Sequence, residues 1–315
     1  MVFVYAVLGL LILLLAGDAL VKGAVNLSLR VGIPALIVSL TIVAFGTSAP
    51  EMLISIQAAL RNAPGIALGN VIGSNTANVL MVLGIPAIMT VLHTSTHDTR
   101  KSYLQMMFAT LLFLALAVRE TFDWKSGIVL LAVLGFILFD QIRDALRHRR
   151  AGELDEELEE PEGADPSMPW WKIGLFLLLG LIGLPLGADL LVDSATEIAR
   201  MFNVSDEVIG LTLVAVGTSL PELATTVMAA LRRQADVALG NVIGSNMFNL
   251  LAIIGVASII APMPFELPEL TFDLGVMLAA SLLMIPFVFL KKDLTRAWGV
   301  LLSCLYIGYV VAVIV

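Results

Sequence analysis

The chain has 315 residues, of which 59% are apolar and only 14% charged, and its mean hydropathy is +0.96. Soluble domains average about 45–50% apolar and about 25% charged residues, so an ordinary soluble enzyme, a disordered chain and a nucleic-acid binder are excluded. The net charge of −8 is local: the eight acids Glu153, Asp155, Glu156, Glu157, Glu159, Glu160, Glu162 and Asp165 account for all of it.

A bilayer-crossing helix needs about 20 mainly apolar residues. Apolar stretches bounded by charges and turns predict ten spans, at about 2–27, 34–60, 65–90, 101–119, 125–147, 170–199, 206–231, 236–261, 271–290 and 296–314. The first has no basic residue before Lys22, which fits a transmembrane helix better than a cleaved signal peptide. Trp124, Trp170, Trp171 and Trp298 fall at span ends, where aromatic residues favour the interface. Residues 1–147 form a first half of five spans, 148–169 an acidic linker, and 170–315 a second half of five. With the N-terminus outside, 14 basic residues fall on the inner side and only Arg61, Arg119, Lys125 and Arg200 on the outer side. Positive charge accumulates inside. The expectation is a multi-pass cell-membrane protein with both termini outside and the linker in the cytoplasm. The single cysteine, Cys304, permits neither an intrachain disulfide nor a cysteine metal cluster.

The chain repeats itself. Ala67 to Asn75 (ALGNVIGSN) recurs unchanged as Ala238 to Asn246, and Val43 to Glu51 (VAFGTSAPE) recurs as Val214 to Glu222 (VAVGTSLPE), both at a spacing of 171 residues. Asp18 and Asp189 match at the same offset. Five spans per period is an odd number, so the second copy enters the membrane from the opposite side. The predicted fold is an all-α polytopic membrane protein of ten helices in two inverted five-helix repeats, a construction common among secondary transporters.

Glu51 and Glu222 lie near the middle of spans 2 and 7. An acid at that depth costs about 2.5–3.5 kcal/mol on insertion scales and marks an ion or proton pathway. Pro50 and Pro221 precede them, and a proline inside a helix removes one N–H and frees the carbonyl four residues earlier. The expectation is a helix interrupted at mid-membrane, loosened by Gly46 and Gly217. Their carbonyls would lie beside the acids, with the hydroxyls of Thr47, Ser48, Thr218 and Ser219. Spans 3 and 8 add Ser74, Asn75 and Asn78, and Ser245, Asn246 and Asn249. Ser74 and Asn78 are four apart and share a helix face, as do Ser245 and Asn249. Every donor is a hard oxygen. Calcium takes six to eight such ligands, and two carboxylates balance one divalent cation. Zinc, copper or iron would call for His or Cys, but His93, His97 and His148 all fall in predicted cytoplasmic loops.

GTSAPE (46–51) with GNVIGSNTAN (69–78), and GTSLPE (217–222) with GNVIGSNMFN (240–249), resemble the two alpha-repeats of the cation/calcium exchanger superfamily, and within it the prokaryotic sodium/calcium exchanger-type antiporters. The resemblance spans nearly the full chain. It implies that Glu51 and Glu222, with the carbonyls of Thr47 and Thr218, hold calcium. It also implies that Ser48, Ser74, Ser219 and Ser245, with the carbonyls of Ala44 and Ala215, hold sodium. Asn78 matches a central polar position. Asn249 departs from the pattern, which has an aspartate there in an archaeal relative, so this site has two carboxylates rather than three. The GTS motif, where proton-coupled relatives carry a GN-type motif, favours sodium as the coupling ion.

The implied mechanism is alternating access, with spans 1 and 6 sliding against the other eight and sodium and calcium taking overlapping oxygens in turn. Its partners are calcium ions, sodium ions and the lipid bilayer; no cofactor is implied. A proton/calcium antiporter is the alternative that uses the same site. A cation channel fits the oxygen ligands but not the inverted halves. The absence of HExxH, GxSxG and GxGD motifs speaks against an intramembrane enzyme.

Overall fold

The computed structural model describes residues 1–96, 98–151, 165, 167–202 and 215–314. The chain is helical almost throughout. Helix α1 is Val2–Val31, α2 is Ala35–Thr47 and α3 is Ala49–Leu60, with a 46° bend between these two. Then come α4 (Pro64–Met89), α5 (Arg100–Ala117), α6 (Trp124–Ala151) and α7 (Trp170–Met201). The short α8 (Ala215–Gly217) and α9 (Leu220–Leu231) precede α10 (Ala235–Ile260), α11 (Leu267–Val288) and α12 (Arg296–Ile314).

Among the described residues, seven helices are long and apolar enough to cross a membrane, or eight if the bent pair counts as one span. Two predicted spans do not meet that test alone. Helix α5 opens on Arg100 and Lys101, and α9 is only 12 residues long. Residues 203–214, which include the start of the predicted seventh span at 206, lie outside the described residues, as do His97 and most of the acidic linker. Helix α6 runs to Ala151, past the predicted end at 147. Its sequence has no Gly or Pro between Gly135 and Gly152, so nothing stops it earlier. Helix α1 also overruns its predicted end at 27. It stops at Gly32, whose left-handed backbone (φ 73°, ψ 49°) returns its N–H to Ser28 O at 2.8 Å. A residue with a Cβ rarely adopts that conformation.

Helices α4 and α10 form the centre. In each, 83% of the apolar window is buried, against 33% in α1 and 22% in α7. The outer helices present Phe3, Leu8, Leu178, Ile182 and similar side chains outward, as a lipid-facing surface requires. Helices α1 and α7, which match at the 171-residue offset, lie side by side and antiparallel. A Cβ on Gly9 would meet Leu191 N at 2.7 Å, one on Gly187 would meet Leu13 N at 2.8 Å, and one on Gly180 would meet Leu20 Cβ at 2.5 Å. Small residues therefore set how closely the two backbones approach, as in other membrane helix pairs.

Other local devices recur at the same offset. Asn62 (φ 54°) ends α3 and Arg233 (φ 56°) ends α9. The next residues, Ala63 and Gln234, return their N–H to Ala58 O at 2.9 Å and Ala229 O at 2.8 Å. A π-helical stretch interrupts α4 at Asn78–Val82 and α10 at Asn249–Ile253. One pairing breaks the correspondence. Asp18 of α1 holds Arg232 at the end of α9, with Nη2 at 2.5 Å. Its counterparts Asp189 and Arg61 are exposed and do not pair with each other.

Connections also tie the halves at their rims. Strand β1 (Thr121–Phe122) pairs antiparallel with β2 (Met263–Pro264). Leu92 bridges Leu294, and beside that bridge Asp293 accepts the Ser95 N–H at 3.0 Å and faces His93 Nδ1 at 3.1 Å. Burial alone would raise the Asp293 carboxyl, but the hydrogen bonds from Ser95 and His93 outweigh it and hold the group below the usual carboxylate range.

Two outcomes are expected. Gly187→Val should overpack the α1–α7 seam, lowering stability by about 1–3 kcal/mol, measured as a fall in melting temperature of the detergent-solubilised protein. A carboxyl held low in the fold stabilises it above the unfolded-state value, and that contribution is lost as pH falls through the folded value. Asp293→Asn should therefore melt earlier than the parent at pH 7, and the gap should close below about pH 4.

Candidate cation site

Pro50 and Pro221 both sit in the first turn of a helix, α3 and α9. There a missing N–H costs nothing, because the first-turn amides have no intrahelical partner. The break falls just before each proline, at Ser48 (φ −81°, ψ 5°) and Ser219 (φ −87°, ψ 4°). Glu51 and Glu222 thus stand in the first turns of helices that begin inside the protein, where exposed amides favour negative charge. The segments before the breaks end at Thr47 and Gly217, and helix C-termini favour cations.

The Ala44 carbonyl accepts from Ser48 N–H at 3.1 Å and from the Thr47 hydroxyl at 3.3 Å. One expectation about the breaks changes. The glycines are packing residues: a Cβ on Gly46 would collide with Leu181, and one on Gly217 would lie 2.6 Å from Val192 Cγ2. They let α7 pass close to both breaks.

The structure brings the predicted residues of both halves together. Ser48 Oγ of the first half donates to Glu222 Oε1 of the second at 3.2 Å. Thr47 Oγ1 lies 3.4 Å from Ser245 Oγ. Glu51 and Glu222 are 1% and 0% exposed, and Ala44, Thr47, Ser48, Ser74, Asn78, Thr218, Ser219, Ser245 and Asn249 are buried with them. Ala215 opens α8 at the second break. Among the described residues, six of the site's buried oxygens have no partner: both of Glu51, Oε2 of Glu222, Oγ of Ser219, and Oδ1 of Asn78 and of Asn249. A buried polar atom without a partner costs about 1–3 kcal/mol, more when charged. Six around one pair of breaks mark a place where the protein has left oxygen lone pairs to be used. Among the described residues, no group of three or more His, Cys, Asp or Glu could hold a metal. The chemistry here is two carboxylates and neutral oxygens, which suits a hard cation.

Two residues not singled out from the sequence hold the glutamates in place. Asn70 Nδ2 donates to Glu51 O at 3.2 Å and to Ser55 Oγ at 3.1 Å. Asn241 Nδ2 donates to Glu222 O at 3.3 Å and to Thr226 Oγ1 at 3.1 Å, and its Oδ1 accepts from Thr47 at 3.3 Å. Both lie inside the repeated ALGNVIGSN block, and a polar residue held at one offset in two apolar helices is the signal that could have found them.

The fold and the residues at its two breaks define a helical membrane protein whose core presents oxygen donors. A family model described as sodium/calcium exchanger protein matches residues 1–143 and 172–315, and the chain belongs to that family. It is 36% identical over 310 residues to a protein described as putative antiporter CaxA from Alkalimonas amylolytica, covering 97% of this chain and 96% of the relative. It is 31% identical over 346 residues to the sodium/calcium exchanger MaX1 of Methanosarcina acetivorans, covering 98% and 97%. Among solved structures it matches the sodium-calcium exchanger NCX_Mj soaked with zero Na+ and Ca2+, with TM-score 0.83, 32% identity and coverage of 99% and 98%.

Asn241 makes three of these side-chain bonds and Asn70 two. Asn241→Ala should therefore cost more stability than Asn70→Ala, about 3 against about 2 kcal/mol at roughly 1 kcal/mol per bond. Thermal unfolding of the two purified variants checks the order.

Proposed function

We propose that the protein is a secondary antiporter that exchanges sodium for calcium across the cell membrane by alternating access. The observation that carries this reading is the pair of buried glutamates, each in the first turn of a broken helix and surrounded by unpartnered oxygens. The exchange named for MaX1 and NCX_Mj supports it. Glu51 and Glu222, with the carbonyls of Thr47 and Thr218, hold calcium. Ser48, Ser74, Ser219 and Ser245, with Ala44 and Ala215 at the breaks, serve sodium, and Asn78 and Asn249 complete the centre.

The ions are alternatives because they share oxygens. Two carboxylates balance one calcium ion, and sodium ions take the same acceptors once calcium leaves. Exchange follows when the loaded site opens to one side at a time. The antiparallel α1–α7 pair, joined by glycine contacts, is the moving unit. The closed Asp18–Arg232 pair, against Asp189 and Arg61, which are exposed and do not pair with each other, supports a state shut on one side only.

The same reading takes the chain as ten spans in two inverted halves, with α5 and α9 counted as spans, both termini outside and the linker in the cytoplasm. The rim contacts support it. The β1–β2 pair joins two connections assigned to the outer side, and the Leu92–Leu294 bridge joins two assigned to the inner side.

Radioactive calcium uptake into sodium-loaded proteoliposomes diluted into sodium-free buffer tests the proposal. Uptake is expected, and Glu51→Gln or Glu222→Gln should abolish it. Lowering pH should inhibit by raising half-saturating calcium, since protons and cations compete for the same carboxylate oxygens. Uptake that ignores sodium and follows an imposed pH gradient would move the protein to the proton-coupled class.

A further inference from the structure

Asn75 and Asn246 stand outside the ligand set and touch two of its members. Both are buried, and they occupy matching places on α4 and α10. Asn75 Oδ1 accepts from Asn249 Nδ2 at 3.0 Å, and Asn246 Oδ1 accepts from Asn78 Nδ2 at 3.0 Å. Their own amide nitrogens turn to the opposite main chain. Asn75 Nδ2 donates to Asn246 O at 3.2 Å, and Asn246 Nδ2 donates to Asn75 O at 3.4 Å, with Met106 Sδ at 3.8 Å.

A carboxamide has an acceptor end and a donor end of nearly the same shape, so a half-turn about its last bond exchanges them. Here neither Asn75 nor Asn246 can make that turn. A flipped Asn75 would set its oxygen against the Asn246 carbonyl and its NH2 against the NH2 of Asn249. A flipped Asn246 would create the mirror-image conflicts. Asn249 and Asn78 are fixed in consequence: they keep their nitrogens engaged, and their Oδ1 atoms are the ones without a protein partner. For a cation this decides between attraction and repulsion, because the oxygen end attracts it and the NH2 end repels it.

We propose that Asn75 and Asn246 are positioning residues that fix the carboxamides of Asn249 and Asn78 with their oxygens toward the transported cation. The proposal rests on the cation-exchange reading above. It gives the departure at Asn249 a physical meaning. An aspartate there has no hydrogen to donate, so Asn75 would have to present its nitrogen instead. The acceptor that Asn75 now presents is matched to an amide. The site then offers one divalent cation two charged ligands and two oriented neutral ones.

The test measures equilibrium binding of radioactive calcium to the purified full-length protein, alongside sodium-driven uptake in proteoliposomes. Asn75→Ala and Asn246→Ala should each weaken calcium affinity about tenfold or more, as loss of a ligand-orienting partner does. The deciding readout is coupling. In an Asn249→Ala background, Asn75→Ala should add less than about a twofold loss, and likewise Asn246→Ala in an Asn78→Ala background. A loss as large in the double-variant backgrounds as in the parent would show a general structural role and overturn the proposal. Should Asn75→Ala not survive purification, the Asn246–Asn78 pair decides: a loss on Asn246→Ala as large in the Asn78→Ala background as in the parent overturns the proposal. A parent protein that neither binds calcium nor takes it up would overturn the exchange reading itself, an outcome distinct from intact binding without coupling.

Discussion

Two carboxylates inside a membrane protein are the constraint to which the remaining features answer. A carboxylate taken out of water needs compensation. In this fold the first share comes from the backbone. Each new helix begins one residue before its proline and two before its glutamate, so the acid meets first-turn amides rather than a closed hydrogen-bond ladder. Each break in turn needs support, because non-helical backbone at membrane depth survives only where protein surrounds it. Asn70 and Asn241 supply that support from the central helices, and Gly46 and Gly217 let α7 close over the breaks.

The second feature is that bonds around the centre run between the halves. Ser48 reaches Glu222, Thr47 reaches Asn241, and the four asparagines form an open chain, Asn249–Asn75–Asn246–Asn78, that alternates between α10 and α4. Near-identical segments thus build the centre by facing each other. The interruptions at Asn78–Val82 and Asn249–Ile253 begin at the two end asparagines of that chain.

Much of this was legible in the sequence. The 171-residue repeat, the paired Pro-Glu steps and the hydroxyl-rich segments before them need only residue types and spacing, and the structure puts those residues together. What spacing could not convey was direction. The role of Gly46 depends on Leu181, more than a hundred residues away, so it read as a source of slack when it is a place of contact. Asn75 sat in plain view in the repeated block. Which end of its amide faces Asn249, however, is decided by a main-chain carbonyl in the other half. The overrun of α6 to Ala151 was missed because hydropathy ends a span where the lipid ends, whereas a helix ends only where its backbone is stopped.

The unpartnered carboxylate oxygens have a consequence for leakage. A carrier that returned empty as readily as loaded would be a uniporter and would dissipate the gradient it draws on. In the proposed exchange, return without cargo would carry two carboxylates whose remaining oxygens the protein leaves unsatisfied. Bound ions satisfy them. Under that proposal coupling is favoured by the site itself, which leaves Glu51 without a described partner for either oxygen and Glu222 with a partner for only one.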